Sequence, residues 1–485
     1  MSPTTAVRQA VPSTWTGRIE DDALLRGAGL FGDDTKPAGT LAAYFVRSPH
    51  AFAKIKSIDT TAAKSAPGVV AVFTAADLAE AHYHSISHPH PIPGRGGKVA
   101  ASPHRPSLAE TRVMHVGEPV AMVVASSAAA AQDAAEKVVV DYEALTPVTD
   151  AREALKASAP QLWDEAPGNL GFDWTAPPDP DGKKKAALDR AFAEAAHVVR
   201  VELVNQRVMV ASLEPRTATA GYDAENKQYT LRCGTQGFAS LRTQVCEAMG
   251  IKPDELRIVT DDVGGAFGMK GWLYPEYVPM LHAARTLGRP LHWVSTRAES
   301  FVTDNHGRDS VWTVELALNK RGRFLALRVD GIGNVGAYFT GIAHFIVTLH
   351  VSGCLPTVYD IPLAQVNSRC VFTNTLPTGP YRGAGRPEAS YLLERVIDAA
   401  ADQTGIDAAE LRRRNLIKPE QMPYTTAFGN NYDSGDFPAV FERALTLADY
   451  DGFAARKKAA KKAGKLRGLG LGCYLEISGA FPEEA

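Results

Sequence analysis

The segment Tyr229–Gly271 constrains the fold more tightly than any other part of the chain. Apolar and polar residues alternate through Tyr229, Leu231 and Cys233, which is strand periodicity. Gly234-Thr235-Gln236-Gly237 breaks that run. From Ser240 the apolar spacing becomes Leu241, Val245, Ala248 and Met249, a helical period. Leu256 to Val259 is strand-like again, and Val263-Gly264-Gly265-Ala266-Phe267-Gly268-Met269-Lys270-Gly271 follows at once. The switch of period puts Gln236 at a strand-to-helix turn, where α/β proteins commonly hold ligands. Clustered glycines let the backbone pass close to a ligand and turn N–H groups toward an anion. This is not a P-loop, because Gly271 stands where Ser or Thr should follow the lysine, and it does not match GxGxxG. From spacing alone, a ligand loop and a plain glycine turn both stay open.

Two further motifs could carry chemistry. Gly379-Pro380-Tyr381-Arg382-Gly383-Ala384-Gly385-Arg386-Pro387-Glu388 lies just ahead of a helical pattern. Exposed N–H groups and two guanidiniums there suit a phosphate or another polyanion. The alternative is a basic turn whose arginines pair with Glu388 or Glu394. Leu213-Glu214-Pro215-Arg216 reads first as a buried Glu–Arg pair beside a proline turn, and only second as catalytic. No Ser-His-Asp arrangement, HExxH or nucleophile elbow is visible.

Along the chain, residues 1–20 read as a polar arm and residues 21–150 as a first compact block. Strand-like runs at 41–46, 69–73, 120–124 and 138–140 surround an Ala-rich helical stretch at 127–137, a mixed α/β pattern. Residues 83–107 are rich in Pro, Gly and His. His84, His88, His90 and His104 could suggest a metal, but prolines interrupt the spacing and no carboxylate or Cys completes a ligand set, so an exposed loop is expected. Residues 151–190 read as a connector whose lysine run, 183–185, is a solvated face, and residues 191–485 as the second block. There, Leu392, Leu393, Val396, Ile397 and Ala400 line one helix face, and Asp407 with Glu410 forms an acidic capping box for the next helix. Residues 455–465 suggest a basic helix and residues 468–477 a strand.

The composition narrows the function classes. A formal net charge of -2 gives no global electrostatic case for nucleic acid or an anionic membrane. The five cysteines are dispersed without a CxxC pair, against a disulfide framework, zinc site or iron–sulfur site in this chain. A reduced, cytoplasmic setting is the simplest reading, with the periplasm as an alternative if a partner carries a twin-arginine signal. The N-terminal residues show no apolar signal core.

Taken together, the motifs resemble the xanthine dehydrogenase / aldehyde oxidase family, specifically the molybdopterin-binding large subunit of bacterial molybdenum hydroxylases. The first block contributes Leu24–Gly29 ahead of Asp33-Asp34, then Arg47–Ala51, Ala66–Thr74, Val116–Ala121 and Val140–Glu143. These match the family's N-terminal a/b hammerhead domain. The second block contributes Leu213–Arg216, Gly234-Thr235-Gln236, Gly264–Gly268 and Tyr381–Arg386, which match its molybdopterin-binding domain. The resemblance implies an α+β, mixed α/β fold and a molybdenum–molybdopterin cofactor, in bacteria usually the cytosine dinucleotide form. Gln236 matches a glutamine that hydrogen-bonds an oxo ligand of the metal. Gly265, Ala266, Phe267 and Gly268 match the loop beside the apical ligand, and Arg382, Gly383 and Ala384 the turn toward the equatorial ligands. Gln236, Phe267 and Arg382 are the residues expected to act in catalysis. The metal itself takes no protein ligand in this family. The implied reaction is hydroxylation of a small-molecule substrate with water, electrons leaving through [2Fe–2S] and FAD on partner subunits.

Departures from the family pattern bear on the substrate. Copper-containing carbon monoxide dehydrogenases carry Cys where this chain has Gly383. Purine-oxidising members carry Glu where it has Gly271, and Arg at a position that aligns here with Gln365. An aldehyde or an N-heterocycle is therefore expected, rather than CO or xanthine. The family's catalytic Glu lies in a segment with no counterpart here. A split enzyme, with a second large-subunit chain carrying the C-terminal half, and an inactive fragment or scaffold are both consistent with that.

Overall fold

Both halves of the sequence meet in one seven-stranded mixed sheet. Its order is Leu256–Val259, Gln228–Arg232, Thr217–Asp223, Leu291–Val294, Leu41–Arg47, Pro119–Ala125, Val69–Thr74. The computed structural model describes residues 17–86 and 90–477. Most of the expected N-terminal arm and His88 lie outside the described residues. The two blocks join through a parallel pair, with Leu41 opposite Leu291 and Ala42 opposite His292. All seven residues of Pro119–Ala125 are buried, as a continuous apolar run covered on both faces requires. The core beneath this sheet mixes Leu41, Phe45 and Met122 of the first block with Leu231, Val245 and Trp293 of the second. A separate three-stranded sheet of Arg112–Val113, Ala53–Asp59 and Val139–Ala144 completes the first block.

The second core lies on a five-stranded sheet ordered Leu170–Ala176, Leu363–Phe372, Phe324–Gly336, Ser310–Leu318, His197–Asn205. The helix Arg386–Thr404 buries the expected face against it: Leu392, Leu393, Val396, Ile397 and Ala400. Asp407 caps the next helix, its Oδ1 accepting from the N–H groups of Ala409 and Glu410 at 2.9 and 3.0 Å. The reciprocal arm of the expected capping box is not made, because the Glu410 carboxylate turns to Arg413 and Arg414.

Two expectations are corrected. The connector expected at 151–190 packs into the second core through Leu162, Trp163, Phe172 and Trp174, while its lysine run 183–185 is exposed as expected. Leu170–Ala176 is an edge strand paired antiparallel to Leu363–Phe372, and Lys183–Glu194 is a helix. The Pro/Asp-rich flanks concealed an alternating run whose Phe172 and Trp174 are buried, and the indole of Trp163 donates to the Ala337 carbonyl at 2.9 Å. The strand expected at 468–477 pairs with no described strand. It lies along the second core, with Leu471, Cys473 and Leu475 alternately turned inward and Glu476 paired to Arg386 at 2.6 Å. Its apolar alternation reflects contact with that core rather than a ladder. The basic helix is present as Phe453–Lys462. Among the described residues, no helix is long and apolar enough to cross a membrane.

Asn374 links the two blocks from a buried position. Its Oδ1 accepts from the Val148 N–H at 3.0 Å, and its Nδ2 donates to the Met114 carbonyl at 3.1 Å. Asn374→Ala strands both backbone groups, each at a cost of about 1–3 kcal/mol. A lowered chemical-denaturation midpoint with an unchanged far-UV spectrum is the expected result.

Candidate cofactor site

Three loops from distant parts of the sequence converge at the C-terminal end of the Gln228–Arg232 strand. The turn ahead of the helix Phe238–Met249 carries Gln236. Its backbone N–H donates to the Lys270 carbonyl at 3.1 Å, and its side-chain Oε1 accepts from the Gly268 N–H at 2.8 Å. The Arg382 N–H donates to the Phe267 carbonyl at 3.0 Å. Thus the turn, the Gly264–Gly268 loop and the Tyr381–Arg386 loop are hydrogen-bonded in series. Gly268 must be glycine on two counts: its φ is +103°, and a Cβ there would stand 2.4 Å from the Pro380 carbonyl oxygen.

The loops hold costly conformations. Phe267 and Ala384 adopt left-handed φ values of 49° and 41°, each unfavourable by about 1–3 kcal/mol for a residue with a Cβ. Neighbouring groups enforce them. The Glu388 carboxylate accepts from the Gly385 N–H at 2.8 Å and receives Arg308, whose other nitrogen donates to the Arg382 carbonyl at 2.8 Å. The half-buried ring of His350 meets the Ala384 carbonyl at 2.7 Å. Burial lowers the His350 pKa to about 4, with Arg386 adding to the effect and the hydrogen bond opposing it. Sequence reasoning missed His350, because a single histidine in the short helix Leu349–Cys354 carries no distinguishing pattern.

The arginines do not make the pairs expected of a simple basic turn. Glu388 is taken by Arg308, Glu394 by Arg412, and Arg386 pairs with Glu476. Arg382 is exposed and forms no ion pair among the described residues. Its guanidinium is therefore left without a carboxylate partner there, while its backbone N–H is tied to Phe267. With the Gln236 oxygen already committed to Gly268, the amide nitrogen of Gln236 is left as a donor. A free guanidinium, an amide donor and glycine backbone suit an anionic, oxygen-rich group. Among the described residues no three His, Cys, Asp or Glu side chains could together hold a metal ion. His84 and His104 line one cavity with Glu110, to which His104 pairs at 3.5 Å, while His90 lies apart from them with its ring toward Trp272.

Two charged clusters support the loops from behind. The Glu214 carboxylate accepts from the N–H groups of Gly264 and Gly32 and from buried Lys270 at 2.7 Å. The Glu–Arg pair expected within Leu213–Arg216 is not made. Arg216 turns away into the core, binding Glu276 at 2.9 Å and Asp304 at 2.6 Å and stacking 3.7 Å over Tyr274. Gln365 is also placed away from the site. It lies within the Leu363–Phe372 strand opposite Arg328 and faces a groove shared with Lys184 and Lys185. His350, Arg308 and Glu388 stand against the Tyr381–Arg386 loop, whereas Gln365 has no contact with it.

Comparison with known proteins identifies the family. Residues 164–416 match the molybdopterin cofactor-binding domain, and residues 26–146 the aldehyde oxidase and xanthine dehydrogenase a/b hammerhead domain. The chain belongs to the molybdopterin-binding large-subunit family of the xanthine dehydrogenase / aldehyde oxidase type. It is 35% identical to the carbon monoxide dehydrogenase large chain of Hydrogenophaga pseudoflava, over 96% of this chain and 58% of that one. It is 33% identical to the nicotine 6-hydroxylase large subunit of Paenarthrobacter nicotinovorans, over 95% of this chain and 55% of that one. The structure of quinoline 2-oxidoreductase from Pseudomonas putida 86 superposes with a TM-score of 0.84 at 34% identity, covering 92% of this chain and 55% of that one. The chain thus spans a little over half the length of these relatives.

The buried acid behind the site gives a pH prediction. Burial alone would raise the Glu276 carboxyl, but Arg216 and Arg47 draw it down to about 2 from 4.5. Its folded-state pKa is depressed, so its contribution is full above pH 4.5 and fades as pH falls toward 2. Acid denaturation should show a loss on the order of 3 kcal/mol from this group over that range. Glu276→Gln should be less stable at neutral pH and show a flatter acid limb.

Proposed function

We propose that this chain is the molybdenum-cofactor-binding part of an oxidoreductase that hydroxylates an aldehyde or N-heterocycle carbon with water. The observation that carries the reading is that backbone and amide hydrogen bonds join Gln236, Gly268, Phe267 and Arg382, residues that bring one amide donor, glycine backbone and one guanidinium without an ion pair among the described residues. The bound molybdopterin, in its cytosine dinucleotide form, supplies the redox chemistry. This chain's residues would hold and orient it: the Gln236 amide nitrogen would serve as a donor to it, the Gly264–Gly268 backbone would permit close approach, and Arg382 would balance negative charge. Electrons leave to [2Fe–2S] and FAD on partner subunits. The chain spans 58% of the length of the carbon monoxide dehydrogenase large chain it resembles, and the catalytic Glu would come from polypeptide other than these residues.

Substrate class follows from the loop. Gly383 has φ +96°, and a Cβ there would lie 2.3 Å from Cγ of Pro387. A cysteine at this position would be both strained and crowded, which supports a site without copper and a substrate other than CO. With Gln365 away from these loops, the case against xanthine rests on Gly271, where no neighbour stands within 4 Å of a would-be Cβ and no acid is present.

The purified complex should contain molybdenum by elemental analysis, and an N-heterocycle or aldehyde should bleach its flavin and iron–sulfur absorbance. A complex with neither property is the inactive scaffold instead. Gln236→Ala should lower turnover by at least about tenfold, the scale of a lost hydrogen bond to a charged group. Soluble yield should change little, because the side chain is exposed. Parallel loss of yield and turnover would refute the role assigned to Gln236.

A further inference from the structure

Beside the three loops lies a half-enclosed cavity of about 580 Å³ between the first block and the helix Phe238–Met249. Its walls come from three places. Ser240, Thr243, Gln244 and Glu247 form one stripe of that helix, at the spacing that puts side chains on a common face. Trp272 follows directly on the Gly264–Gly271 loop, and His90 comes from the Pro/His-rich loop of the first block. The volume is that of a small-molecule site, at a boundary between structural units where such sites concentrate.

The lining is set in place. The Gln244 Oε1 accepts from the Leu273 N–H at 2.9 Å, which fixes the helix to the segment bearing Trp272. Gly341 packs on the back of the indole so closely that a Cβ would fall 2.2 Å from it. His90 stands edge-on to Trp272 with ring centroids 6.4 Å apart and is itself flanked by Phe345. Among the described residues Glu247 is the one acid in the lining, no Lys or Arg lines the cavity, and Glu247 is in no ion pair. An exposed, unpaired carboxylate and a fixed indole in one cavity lining match an organic cation with an aromatic body, which gains both from charge and from the ring quadrupole.

We propose that this cavity is a specificity subsite that takes the cationic nitrogen of an aromatic or heteroaromatic amine. Trp272 receives the ring and Glu247 the charge. The assignment of that ligand as substrate rests on the hydroxylase reading above, but binding itself does not need molybdenum.

The test is calorimetric titration of the purified complex with 1-methylquinolinium and, at a pH where it is neutral, with quinoline. The cation should bind about 3- to 30-fold more tightly, the range set by a cation–π contact and its conversion to affinity. Glu247→Gln should lower that advantage measurably, leaving the cation–π share, and leave quinoline binding unchanged, and Glu247→Lys should lower it further. Trp272→Leu should weaken both ligands. Thermal melting reports whether each variant folds, and the wild-type preference between the two ligands needs no variant. Equal affinities, no saturable binding, or a cation preference untouched by Glu247→Gln in folded protein would overturn the proposal. Molybdenum content and turnover of neutral N-heterocycles are read separately. A working hydroxylase without cation preference sinks the subsite alone, and cation binding in a molybdenum-free complex sinks the hydroxylase reading alone.

Discussion

The buried guanidinium of Arg216 is the interaction on which the site depends. It is 1% exposed, and a charge so placed must be paired on all sides. Glu276 and Asp304 meet it directly, Thr303 accepts a further bond, and Tyr274 lies under its plane. Each partner reaches onward. Glu276 also binds Arg47 of the first block, which in turn holds Glu299. The Tyr274 hydroxyl donates to the Met269 carbonyl and accepts from the Asn305 N–H. One cation therefore ties the strand Leu41–Arg47, the helix Arg297–Thr303 and the far end of the Gly264–Gly268 loop into a single arrangement.

That arrangement explains how two non-glycine residues persist in left-handed conformations. Phe267 lies between the Glu214–Lys270 pair and the Gln236–Gly268 hydrogen bond. Ala384 lies between His350 and the Glu388–Arg308 pair. The strain is held by groups outside the loops, so the donors facing outward are fixed before any ligand arrives, and little ordering cost is left for binding.

Much of this was legible in the sequence. The change of period around Gln236 located the central turn, because strand and helix spacing are local properties. The face of the helix Arg386–Thr404 was legible for the same reason. What escaped was set by distant partners. The carboxylates that bind Arg216 lie 60 and 88 residues away, so nearby Glu214 looked the natural mate. The edge strand Leu170–Ala176 was hidden because its flanks read as linker, and its seven residues gain their identity only from the neighbouring strand. The alternation at Leu471, Cys473 and Leu475 was real, but it recorded contact with a core and not strand pairing. His350 had no local signal at all.

The parallel pairing of Leu41–Arg47 with Leu291–Val294 has a consequence for how such a protein can be taken apart. The two family domains are contiguous in sequence, yet their boundary is not a seam. Cutting the chain between them would expose the inner edges of two mid-sheet strands and split one apolar core into two open faces. Exposed edges of this kind template pairing with other chains. The hammerhead region is therefore better regarded as half of a shared scaffold than as a module, and neither half is expected to be a well-behaved protein when expressed by itself.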